Sequence, residues 1–116
     1  MNLKMIMAFV SDQKTEAIME AARKAGATGA TVITSVRGEG LKGSKTFFGL
    51  ELGAQRDVLL FLVAGQRAQR ILETIAKAGN FDEEPGTGIA VQVSLEDAVG
   101  LKSQTSALLD EIKEEV

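Results

Sequence analysis

The chain predicts an α+β fold, a ferredoxin-like βαββαβ sandwich with a long loop at its middle, and three observations carry that expectation. The predicted elements run strand, helix, strand, long loop, strand, helix, strand, with a last helix behind them. The two halves repeat a sequence signature. The length, 116 residues with 45% hydrophobic content, suits one domain spanning 1–116, and such a chain buries roughly 65% of its unfolded surface.

Residues 3–10, LKMIMAFV, read as a nearly all-apolar strand. Ser11 or Asp12 offers a helix N-cap, because a short oxygen-bearing side chain can take an orphan backbone N–H. The helix that follows runs to about Ala25, with Ala17, Ile18, Ala21, Ala22 and Ala25 on one stripe. Gly26 ends it, as a residue tolerant of left-handed geometry. Residues 30–37, ATVITSVR, form a β-branched strand in which Val32, Thr34 and Val36 alternate with Thr31, Ile33 and Ser35.

Residues 37–55, RGEGLKGSKTFFGLELGAQ, are too long for a tight hairpin loop and hold five glycines, Gly38, Gly40, Gly43, Gly49 and Gly53. A loop of more than roughly 12–15 residues in a packed domain is usually functional or disordered. The stretch reads either as an arm that docks on something or as a hairpin reaching beyond the sheet, with Phe47 and Phe48 packed on a neighbour.

Residues 56–64 contain VLLFLV, a second fully apolar strand. Gly65 opens a helix with Ala68, Ile71, Leu72, Ile75 and Ala76 on one face, and Gly79 caps it. A polar loop, NFDEEPGT, holds the only proline, Pro85. Residues 88–94 form a fourth strand, 95–100 a short turn, and 102–116 a last helix with Leu108, Leu109 and Ile112 on one side.

The repeat is legible in two stretches. Residues 24–32 read KAGATGATV and residues 77–91 read KAGNFDEEPGTGIAV. Both contain KAG, then TG, then two residues and Val. Only Ala27 separates KAG from TG in the first half, whereas Asn80 to Gly86 separate them in the second. The second half therefore carries an added loop where the first makes a tight turn.

A four-stranded sheet with both helices on one face would show water its other face, and strands there would alternate apolar with polar. MIMAFV and VLLFLV do not alternate. Their second face needs a cover; the C-terminal helix could supply part of it, and another copy of the chain is the more economical cover.

Composition excludes several classes. A net charge of −3 with 25% charged residues gives no strong field for nucleic acid or anionic lipid. The absence of Trp and Tyr argues against a base-stacking platform. The absence of Cys and His removes disulfides, thiol catalysis, Ser-His triads and the usual zinc sites. A hard metal such as magnesium, held by carboxylates or a bound phosphate, stays compatible with the chain. The first ten residues form no signal peptide and are too short to span a bilayer, so no membrane insertion and a cytoplasmic location are expected.

Four segments, AGATGATV at 25–32, VRGEG at 36–40, KTFFGLELG at 45–53 and EPGTGIAVQV at 84–93, stand in an order and spacing that resemble a PII-like signal transduction protein of the nitrogen regulatory P-II superfamily. The resemblance runs from Leu3 to about Lys102. It implies a non-enzymatic regulatory homotrimer with the sheets packed inward. It makes 37–55 the T-loop and about 80–88 the B-loop. It places an adenine nucleotide, ATP, ADP or AMP, in the cleft between subunits, from which the T-loop binds or releases a partner, often a membrane transporter or an enzyme.

The same resemblance assigns the site. Gly86, Thr87 and Gly88 would meet phosphate, where turn glycines allow close backbone approach and the Thr87 hydroxyl adds a donor. Gly38 and Gly40 match glycines at the T-loop base, Thr31 a threonine near the base and sugar, and Lys102 a basic phosphate contact. Arg37 is added as the cation at the loop base. No catalytic or metal-binding residue is implied. The departures are specific: Ile89 stands where a B-loop lysine is typical, Gly100 replaces the first of two C-terminal arginines, and Leu41 or Lys42 replaces a T-loop glutamine. Weaker ATP binding and a preference for ADP or AMP would follow, and 2-oxoglutarate sensing is not implied.

Two rival readings stand beside this one. A CutA-like structural or metal-tolerance trimer would share the architecture without a nucleotide site. A small enzyme is disfavoured, since Asp82, Glu83 and Glu84 are contiguous in a turn and make a solvated face rather than an acid–base pair.

Overall fold

The computed structural model describes residues 2–36, 46–47, 50–51 and 56–100. The elements in chain order are β1 (Leu3–Ser11), α1 (Thr15–Lys24), β2 (Thr31–Val36), β3 (Thr46–Phe47), β4 (Leu50–Glu51), β5 (Arg56–Ala64), α2 (Gly65–Ala78) and β6 (Gly88–Ser94). Four strands make one sheet in the order β2-β5-β1-β6, with every neighbouring pair antiparallel. This is the ferredoxin-like arrangement that the element order predicts. Within the 37–55 stretch, β3 pairs with β4, Thr46 opposite Glu51 and Phe47 opposite Leu50. The helix expected at 102–116 lies outside the described residues.

Apolar runs with no polar alternation made β1 and β5 legible, and these two strands are the centre of the sheet. Their register runs unbroken from Leu3 opposite Ala64 to Ser11 opposite Arg56. Cross-strand partners share a face. Ile6, Ala8 and Val10 of β1 and Leu59, Phe61 and Val63 of β5 therefore point the same way. There they are buried with Ile18 and Ala22 of α1 and Ala68, Ile71 and Ile75 of α2. Met5, Met7 and Phe9 point the other way with Leu60, Leu62, Val91 and Val93. Val91 and Val93 are 40% and 41% exposed. Among the described residues, the face opposite α1 and α2 carries no helix and is apolar across β5, β1 and β6, as the lack of alternation requires.

Two local expectations are corrected, and one strand is more exposed than its neighbours. Neither Ser11 nor Asp12 caps α1. The β1 pairing extends through Ser11, a turn follows in which the Lys14 N–H donates to the Ser11 carbonyl at 2.9 Å, and Lys14 sits at the cap position without a side-chain bond. The buried stripe of α1 is Thr15, Ile18, Ala22 and Ala25, while Ala17 is exposed. Thr15 is drawn inward because its hydroxyl donates to the buried Asp57 carboxylate at 2.6 Å. Strand β2 shows no buried face. Residues 31–35 are all exposed, even Val32, which lies on the helix side opposite Leu59, because β2 is an edge strand that neither helix covers.

The helix ends also differ between the repeats. In α1, Gly26 takes φ +117°, its N–H donates to Arg23 and the Ala27 N–H to Ala22, the paired bonds of a left-handed helix stop. In α2 the same two bonds run from Asn80 to Lys77 and from Phe81 to Ala76, and the left-handed residue is Asn80, at φ 53°. Gly79 is the C-cap of α2, as expected, and holds that position with φ −90°.

The Thr15–Asp57 bond ties the start of α1 to the start of β5. Thr15→Val leaves a buried carboxylate without its donor and is expected to cost roughly 1–3 kcal/mol in urea unfolding. Thr15→Val combined with Asp57→Val removes both polar groups and should recover most of that loss. A single variant as stable as the parent would show that water already serves Asp57.

Candidate functional site at one end of the sheet

One end of the sheet gathers the chain segments that the sequence singles out. The 37–55 stretch leaves from Val36 and returns at Arg56, which are paired across β2 and β5. Arg56 in turn stands opposite Ser11 on β1, and the Ser11 N–H donates to the Thr87 carbonyl at 3.3 Å. The base of the long stretch and the added loop at 80–87 therefore share this end, with the loop on the β6 side and the base on the β2–β5 side.

The added loop is held by its own polar groups. The Thr87 hydroxyl bonds the carbonyls of Glu84 at 2.9 Å and Asn80 at 3.2 Å. The Asn80 side-chain amide donates to the Glu84 carboxylate at 3.2 Å. Lys14 reaches in from the β1–α1 turn, its Nζ 3.1 Å from the Gly79 carbonyl and 3.4 Å from Glu84 Oε2. Gly86 turns the chain at φ 80°, a left-handed conformation that glycine adopts without strain. Among the described residues, no protein acceptor takes the N–H groups of Gly86 and Thr87. Successive free N–H groups at a left-handed turn are suited to an anion.

Of the sequence-predicted site residues, Gly86, Thr87 and Gly88 come together here. Two of their expected roles change. The Thr87 hydroxyl carries one hydrogen, and it is spent on the loop's own carbonyls rather than left for a ligand. The Cβ side of Gly88 is not open to a phosphate. A Cβ built there would lie 2.6 Å from Cζ of Phe81. Thr31 is exposed on β2, opposite Leu60, and so lies on the helix-free face at the far edge of the sheet. Three strand spacings separate the β2 and β6 edges, about 14 Å. A single chain does not bring Thr31 to Gly86. Arg37, Gly38, Gly40 and Lys102 lie outside the described residues.

Three residues with a bearing on the site were not singled out from the sequence. Lys14 brings a cation to the loop from 70 positions away, and nothing local marks it. Arg56 is buried, 7% exposed, with its Nε unpartnered among the described residues. A guanidinium of that kind can take a carboxylate or phosphate oxygen. Phe81 did carry a signal, as the one large apolar side chain in NFDEEPGT. Among the described residues, concavities of about 240, 260 and 300 Å³ lie beside α1, near Phe81 and beside Lys77, at or below the lower end of the roughly 300–1,000 Å³ usual for ligand pockets. No helix among the described residues is long and apolar enough to cross a membrane.

A four-stranded antiparallel sheet, two helices on one face and loops gathered at one end define the ferredoxin-like class of α+β sandwich. The family assignment is direct: the sequence pattern of nitrogen regulatory protein P-II matches residues 3–105, and the chain belongs to that family. Solved structures agree on the fold. A PII-like signaling protein of Thermus thermophilus superposes with a TM-score of 0.59 at 21% identity, covering 81% of this chain and 86% of that one. CPII of Thiomonas intermedia, solved with ADP, AMP and acetate, superposes with a TM-score of 0.60 at 18% identity, covering 83% and 90%. No curated protein sequence is significantly similar to the chain.

The polar network makes a local prediction. Thr87→Val removes the hydroxyl that ties 87 to Asn80 and Glu84. Amide hydrogen exchange across 82–87 should quicken while 58–63 stays protected, and Thr87→Ser should restore the slow rate. Unchanged exchange in Thr87→Val would show that Lys14 and the turn alone hold the loop.

Proposed function

We propose that the chain is a non-enzymatic PII-like regulator, a homotrimer that binds an adenine nucleotide, ADP, AMP or ATP, between neighbouring copies and controls a protein partner through the 37–55 T-loop. A membrane transporter or a metabolic enzyme is the class of partner, and the cytoplasm the place. The observation that carries the reading is the common placement of two features. The N–H groups of Gly86 and Thr87, without a protein acceptor among the described residues, and the base of the 37–55 stretch occupy the same end of the sheet. A phosphate at the loop then lies at the end of the sheet from which the 37–55 stretch leaves and to which it returns.

Two further features support the reading. Thr31 and Gly86 lie at opposite edges, so a nucleotide that meets both draws on two chains. The helix-free face, with Met5, Met7, Leu60, Leu62, Val91 and Val93, supplies the apolar surface for that association. The relative solved with ADP and AMP favours those nucleotides here. Membership of a regulatory family favours a signalling role over an enzymatic one. A signal requires that nucleotide bind one T-loop conformation better than another.

Calorimetric titration with AMP, ADP and ATP, with and without magnesium, tests the reading. At least one nucleotide should bind with one site per chain. Silence with all three would remove the nucleotide site and leave a CutA-like structural trimer in its place. Light scattering tests the assembly: the parent should have the mass of a trimer, and Leu60→Asp should dissociate it, since an unpaired carboxylate buried in that face costs several kcal/mol. A parent that runs as a monomer at micromolar concentration would refute the assembly.

A further inference from the structure

We infer that Phe81 is a positioning residue of the nucleotide site, a wedge that fixes the backbone from 82 to 88 so that the N–H groups of Gly86 and Thr87 face the phosphate. The inference rests on the nucleotide site proposed above.

Its ring lies against two glycines that belong to the two ends of the added loop. A Cβ built on Gly79 would stand 2.7 Å from Phe81 Cδ1, and one built on Gly88 would stand 2.6 Å from Cζ and 2.8 Å from Cδ1. Real Cβ atoms do not approach a ring so closely, so both glycines are required by the aromatic side chain between them. Gly79 keeps a helical φ of −90°, and its small size answers to packing rather than to backbone freedom. The backbone of Phe81 is pinned as well, its N–H donating to the Ala76 carbonyl at 3.0 Å. The loop is thus closed by one ring that spans from the end of α2 to the first residue of β6.

The first half of the chain supplies the comparison. Ala27 occupies the place of Phe81, its N–H donating to the Ala22 carbonyl at 3.0 Å in the same helix stop. A methyl group, 8% exposed, completes that stop. The three atoms nearest a Cβ built on Gly26 all belong to the Arg67 side chain, at 3.1, 3.2 and 3.8 Å. The helix stop therefore has no need of an aromatic residue. The wedge occurs in the half that carries the added loop and reaches forward to the loop's far end.

The test uses the full chain and whichever of AMP, ADP or ATP binds the parent most tightly. Phe81→Ala removes the wedge and should lower affinity at least about tenfold, equivalent to roughly 1.4 kcal/mol, with oligomer mass and circular dichroism unchanged. Gly88→Ala pushes on the ring from the other side and should lower affinity similarly. The combination of Gly88→Ala with Phe81→Leu exchanges bulk for bulk and should bind more tightly than Gly88→Ala alone, a rescue that a merely structural role would not give. If Phe81→Ala fails to fold, the rescue pair decides. Parent-like affinity in Phe81→Ala, or no rescue in the pair, overturns this inference alone. No binding by the parent overturns the nucleotide site itself, and the positioning role with it.

Discussion

The pairing of β1 with β5 is the constraint from which the rest of the structure hangs. Its nine-residue register fixes which apolar residues meet the helices and which meet the opposite side. At its Ser11–Arg56 end the register does more than bury surface. It sets Asp57 beneath the first residue of α1, Arg56 at the return of the 37–55 stretch, and Ser11 within bonding distance of Thr87. A slip of one residue would turn every one of these side chains to the wrong face. The site is therefore precise because a long, fully apolar pairing underwrites it.

How much of this was legible depended on the range of the interaction that decided it. Strands 3–10, 56–64 and 88–94 and the helix from Gly65 could be read because their patterns are local: apolar runs, 3/4 spacing, turn residues between. The start of α1 could not. Its first buried residue is set by Asp57, 42 positions away, and a local cap signal at Ser11 and Asp12 pointed elsewhere. Nor does the sequence show that β2 is an edge strand, the position that leaves residues 31–35 exposed. In the site, the loop glycines were visible, but their roles were not. Gly88 resembles a phosphate-binding glycine in sequence, and only three dimensions place Phe81 against it.

The internal repeat is informative where it breaks. KAG recurs at 24–26 and 77–79 with the letters unchanged and the geometry shifted by one residue. The glycine of the first copy is the left-handed stop. In the second copy Asn80 takes that conformation and the glycine serves packing. Identical tripeptides thus hold different functions because the added loop moved the point at which the helix lets go. The chemistry at Lys14, Glu84 and Thr87 has no counterpart in the first half's turn, where one alanine closes the gap.

The strand order β2-β5-β1-β6 has one more consequence. It puts Thr31 and Gly86 on opposite rims of the same chain, so under the proposed nucleotide site each copy would carry two unlike half-sites, and a ligand that needs both would read the junction between copies. Binding such a ligand and staying assembled are then one equilibrium. Dilution weakens the ligand's hold, and the ligand in turn resists dilution. Mixed assemblies follow the same geometry. A copy crippled at its β2 rim still offers a sound β6 rim to its neighbour, and a copy crippled at β6 does the reverse. Two defective chains placed side by side share one intact junction, so damage on different rims is complementable while damage on the same rim is not.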